Sequence, residues 1–103
     1  MKKFRKYVRR LRRDFPAANP VRVFIRPENT VKDDSGSPCW ATCQHRKKSI
    51  VIEVEHHACE AFMVEHLFHE WTHAVYGESA KVHPLNWWKL HGRISNHYKD
   101  SLA

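Results

Sequence analysis

Along the first fifteen residues apolar side chains return at Phe4, Val8, Leu11 and Phe15, a spacing of i, i+4, i+7 and i+11. That period predicts an amphipathic helix over residues 2–15 with one apolar stripe. Pro16 and Pro20 end it, and the pattern then changes period. In "VRVFIRP", Val21, Val23 and Ile25 alternate with Arg22, Phe24 and Arg26, as in a strand with one buried face. "ENTVKDDSGSP" is polar and turn-rich and reads as a loop. "CWATCQH" and "SIVIEVE" read as two further strands, with Ile50, Ile52 and Val54 sharing a face and "RKK" forming an exposed hairpin connection. From about Ala58 to Tyr76 the period is again helical, with Phe62, Leu67, Phe68, Trp71 and Val75 available to a core. Gly77 suits a helix-ending residue in the left-handed conformation. A last helix is expected from near Pro84, a first-turn proline, through Trp87, Trp88, Leu90, Ile94 and Tyr98. The order is helix, a sheet of about three antiparallel strands, then two helices, an α+β arrangement.

With 103 residues the chain makes one domain, 1–103. It divides into a basic helix, 1–15, and a body, 20–103. No apolar run is long enough to cross a bilayer, and the basic start is followed by no apolar core of a signal peptide. Cys39, Cys43 and Cys59 are an odd, sparse set, which fits reduced thiols in a cytoplasmic setting. The bland reading makes them small buried or half-buried residues. A Cys39/Cys43 clip completed by His45 is a weaker alternative.

The net charge of +7 is concentrated in one segment. Lys2, Lys3, Arg5, Lys6, Arg9, Arg10, Arg12 and Arg13 stand in the first thirteen residues, which hold no acidic residue. Such a helix can bind DNA or another polyanion by counterion release; the alternative is a solvated outer face, which the density of arginine and the lack of acidic partners for i, i+4 pairing make less comfortable. No aromatics interleave the basic run, so base stacking is not indicated.

The candidate chemistry lies in the second helix. His69-Glu70-Trp71-Thr72-His73 is an H-E-x-x-H pattern. Residues four apart share a helix face, so His69 and His73 can present two imidazoles to one ion, with Glu70 beside the first as general base. A zinc ion in such a site needs a third protein ligand and leaves a position for water. His83 is the leading candidate, ten residues on and after the break at Gly77; Glu78 and His91 are the alternatives. Tyr76 and His66 lie one turn from the ligand pair and are candidates for oxyanion or pocket roles, as is His91 for the pocket.

"LFHEWTHAVYG" followed by "VHPLNWWKLHGRI" resembles the SprT-like zinc metallopeptidases within the zincins. The resemblance spans roughly residues 20–100 and is specific over 66–91. It rests on H-E-x-x-H on a helix and on a third histidine opening His83-Pro84-Leu85-Asn86-Trp87. Pro84 stands where a glycine is usual, and the gap between the second and third histidines is short. The resemblance implies a small zincin-like domain with one Zn2+. It also implies peptide-bond hydrolysis on a protein or peptide substrate, with Glu70 as general base, near nucleic acid as in some relatives. The contrasting reading is a non-catalytic, zinc-stabilised nucleic-acid-binding module, in which a fourth protein ligand closes the site.

Overall fold

The computed structural model describes residues 1–77 and 83–99. It confirms a small α+β fold: α1 (Lys2–Asp14), β1 (Val21–Arg26), β2 (Ala41–His45), β3 (Ile50–Glu55), α2 (Glu60–Tyr76) and α3 (Leu85–His97).

α1 buries Phe4, Tyr7, Val8 and Leu11; Tyr7 widens the expected stripe, and Phe15 closes the helix as its cap. α2 is the central element. Met63, Val64, Leu67, Phe68, Trp71, Thr72 and Ala74 are all buried; they spread over about half of the helix circumference, a broader face than one stripe, as a helix packed against both α1 and the sheet requires. Phe62 and Val75, both expected in the core, are only half-buried.

The sheet has the order β1-β3-β2 and is mixed, which corrects the antiparallel expectation. β2 and β3 form the anticipated hairpin, Cys43 opposite Ile52 and His45 opposite Ile50. β1, however, runs parallel to β3, Val21 beside Ile50 and Ile25 beside Val54. The segment 27–40 carries the chain across to the far edge, so the returning β3 inserts between the other two strands. Its composition fits the central place: Ile50, Val51, Ile52 and Val54 are all buried, a nearly continuous apolar run flanked by a strand on each edge.

α1 runs alongside α2 in the same direction and is fastened near both ends. The Phe4 N–H, one of the unpaired donors of the first helical turn, donates to Glu60 Oε2 at 2.9 Å. Near the other end Trp71 Nε1–H donates to the Phe15 carbonyl at 2.8 Å. Asp14 accepts hydrogen bonds from Arg13, Tyr98 and His97, joining the end of α1 to the end of α3. The Arg13 guanidinium beside it holds its carboxyl well below the usual range.

Two local expectations change. Gly77 has φ 116° and ψ 174°, an extended positive-φ conformation open essentially to glycine alone, not the left-handed helical cap. Pro84 is the residue before α3 and not inside its first turn, its carbonyl accepting the Trp88 N–H at 3.1 Å. No helix among the described residues is long and apolar enough to cross a membrane.

Candidate metal centre

Helical geometry turns 100° per residue, so His69 and His73 stand on the side of α2 opposite Glu60, Leu67 and Trp71, which face α1. His83, two residues before α3, closes over them. The ring nitrogens of His69, His73 and His83 lie within 4.8 Å of one another and could hold a metal ion. His73 Nε2 is 3.3 Å from His69 Nε2 and 3.2 Å from His83 Nε2, the convergence of donors that one cation requires. Burial, and secondly the neighbouring imidazoles, lower the pKa values of His69 and His73 to about 4. Both are therefore neutral near pH 7, the form that ligates. Donor type, proximity and protonation all fit a divalent cation.

Glu70 is 8% exposed and makes no hydrogen bond or ion pair with a described residue. Desolvation alone raises its carboxyl to about 7. It faces the inner side of β2, where its charge helps to hold up the Cys39 and Cys43 thiols, behind burial as the main cause; Cys43 is pushed up to about 12.

The remaining candidates separate. His91 belongs to the surroundings of the triad: its ring centroid is 6.0 Å from that of His69 and stacks on Trp87 at 5.2 Å and 8°. It does not join the converging donors. His66 is turned toward Phe62 and Trp40, with centroids at 4.5 and 6.5 Å. Tyr76 is half-buried, and no ring contact or hydrogen bond joins it to the triad among the described residues. Glu78, the alternative third ligand, lies outside the described residues. Cys39, Cys43 and His45 are not gathered into a ligand cluster; Cys39 and Cys43 are half-buried free thiols and Cys59 is exposed.

Two residues of the surroundings were not singled out by sequence for this role. Trp87 is fully buried, with its ring 4.2 to 4.9 Å from those of His69, His73 and His83. Its Nε1–H donates to His73 Nδ1 at 3.1 Å. Trp88, its neighbour, is 52% exposed. His45, on the β2 face toward α2, has a buried Nε2 without a hydrogen-bond partner and lies close enough to His73 to help lower its pKa. The signal for Trp87 was its place four residues after His83. For His45 the register against Ile50 was needed, and that emerges only with the sheet.

The basic residues of α1 lie on the far side of α2 from the triad. Arg5, Arg9 and Arg12 border a groove of about 200 Å³ floored by Phe4, Val8 and Val23. Arg12 also donates to the Val21 carbonyl at 2.8 Å, and Arg13 is paired with Asp14 at 2.7 Å. Lys6 and Arg10 lie against the Tyr7 ring, while Lys2 and Lys3 are exposed. Comparison with protein-family models, with characterised proteins and with solved structures finds no match to this chain.

Proposed function

We propose that the chain is a zinc-dependent metallopeptidase with His69, His73 and His83 as ligands and Glu70 as general base. The observation that carries the reading is the convergence of three imidazoles, with the residue after His69 a buried carboxylate that has no hydrogen bond or ion pair among the described residues. A structural zinc site prefers four protein ligands. Among the described residues only three donors converge, which favours a position left open for substrate and water.

A bound zinc ion would supply Lewis acidity toward a carbonyl oxygen and a water. The chain supplies the rest. The triad fixes the place of the ion, and Trp87 and His91 wall the histidines on the α3 side. Glu70, poised near 7 in the free chain, accepts a proton on its carboxylate from the attacking water and delivers it to the departing amine. No residue is assigned to the oxyanion, because neither Tyr76 nor His66 makes a hydrogen bond or ring contact with the triad among the described residues.

The basic face of α1 adds a tether. Arg5, Arg9 and Arg12 beside their groove favour a polyanion such as DNA, held on the side of α2 away from the cleft. Such contact would concentrate the enzyme near its substrate without lining the active site. The free thiols suit a reducing, cytoplasmic compartment.

The test is metal content and hydrolysis of a mixed peptide substrate by the wild type, His83→Ala and Glu70→Gln. The wild type should carry one zinc, His83→Ala should lose it, and Glu70→Gln should keep it while losing more than about a hundredfold in rate. A wild type without zinc, or a Glu70→Gln variant that cleaves normally, defeats the reading.

A further inference from the structure

A second cluster of rings lies on the same side of α2 as the triad, one to two turns closer to the helix start. Trp40, the residue before β2, meets Phe62 edge to face with centroids 5.4 Å apart. It approaches His57 at 6.1 Å and His66 at 6.5 Å. Phe62 in turn packs on His57 at 4.4 Å and on His66 at 4.5 Å. Phe62, His57 and His66 are half-buried, but Trp40 is 51% exposed, a large ring surface left facing solvent beside a candidate cleft.

The cluster is continuous with the metal centre in two ways. Phe62 and His66 occupy the helical stripe that continues into His69 and His73. Seven residues separate each of Phe62 and His66 from the corresponding ligand, a rise of about 10 Å. Along the other wall runs β2, an edge strand. The Trp40 carbonyl accepts from the Glu55 N–H, and the Arg46 N–H donates to Ser49. Even-numbered residues therefore pair inward, and Ala41, Cys43 and His45 turn their N–H and C=O groups to the open edge. A strand of substrate lying along that edge advances about 3.3 Å per residue, so three residues span the distance from ligands to rings.

We propose that Trp40, Phe62 and His66 form a side-chain subsite that selects a large aromatic residue about three positions from the bond held at the triad, with His57 buttressing it. The inference rests on the peptidase reading and adds the substrate preference. An aromatic occupant fits better than an aliphatic one, because edge-to-face packing against Trp40 and Phe62 offers energy beyond area burial. A cationic side chain fits worse, because lodging it among these rings strips its hydration and the cluster holds no carboxylate to pair with it.

The test uses the zinc-loaded full chain and peptide hydroxamates, whose metal-binding group anchors one end at the triad. Tripeptides carrying Phe, Ala or Lys at the third position, with the hydroxamate at either terminus, are titrated against wild type, Trp40→Ala and Trp40→Phe. Acetohydroxamate alone reads the metal end. For one direction of attachment, the Phe peptide should bind the wild type about tenfold more tightly than the Ala peptide. That gap should close to within about twofold in Trp40→Ala and return in Trp40→Phe, with acetohydroxamate affinity the same in all three proteins. Equal binding of Phe and Ala peptides, preference for Lys, or a gap that survives Trp40→Ala overturns the subsite. Failure of acetohydroxamate to bind the zinc-loaded chain overturns the open position at the triad and the subsite reading with it. Aromatic preference in binding without cleavage of any peptide removes only the peptidase reading.

Discussion

Trp87 makes the hydrogen bond to His73 that a metal ion must contend with. An indole N–H only donates, so His73 Nδ1 accepts, and the proton of the neutral ring resides on Nε2. Nε2 is also the atom that faces His69 and His83. An ion taken by Nε2 leaves the proton on Nδ1, where it opposes the indole N–H. Metal-ligating histidines ordinarily donate from their second nitrogen to an acceptor; this one meets a donor. Zinc should therefore displace the indole and change tryptophan emission when added to chelator-treated protein, a change that Trp87→Phe abolishes. Removing the competing bond should also tighten zinc binding, by roughly 1 kcal/mol. Weaker binding by Trp87→Phe in an equilibrium titration would instead mean that the indole stabilises a deprotonated ring. At this scale the sequence disclosed the triad well, because His69 and His73 are tied by helix periodicity and His83 follows a glycine break. It disclosed Trp87 and His45 poorly, since their roles depend on how α3 and β2 approach α2, and neither approach has a local signature.

The elements are held to one another by few directional bonds, and Trp71 carries one of them. Its ring is fully buried, and its Nε1–H ends on the Phe15 carbonyl, just where α1 stops and Pro16 turns the chain. Trp71→Phe deletes that bond and leaves a small void, and should cost about 2 kcal/mol. For a chain of this size that lowers the melting temperature by roughly 10 °C. Because Trp71 faces α1 and the histidines face away from it, zinc stoichiometry should be unchanged. Loss of metal together with stability, measured by calorimetry and metal analysis on the same sample, would contradict this separation of the two faces. Helices and strands were legible where a period spans several residues, as in Phe4-Val8-Leu11 and in Ile50-Ile52-Val54. Strand order was not. "SIVIEVE" carries an apolar Val51 on its other face, but "VRVFIRP" carries Phe24 there, so neither pattern marks the central strand; the parallel partnership with β1 follows from the long crossing segment 27–40, whose path no short-range pattern specifies.

For the whole molecule, the site sets a conflict between folding and protonation. His69 and His73 titrate at about 4 in the fold against an ordinary 6.5. As pH falls from 6.5 toward 4, the unfolded chain takes up protons that the folded one refuses, and stability declines. Glu70 acts in the opposite sense. Its folded value of about 7 lies above an ordinary 4.5, so as pH rises between those values the unfolded chain releases a proton that the folded one retains, and stability again declines. The metal-free protein is thus penalised by its histidines in acid and by its glutamate at neutral pH and above. Glu70→Gln removes only the second penalty. In chelator it should stabilise the chain at pH 8 by roughly 3 kcal/mol, the equivalent of the shift, and have little effect at pH 4. Zinc should erase most of the difference, since a nearby cation favours the carboxylate that burial disfavours. Urea denaturation at the two pH values, with and without zinc, reads all three terms. Equal stabilisation at both would show that Glu70 is not held in a desolvated state, and the poised base on which the proposed chemistry depends would be lost with it.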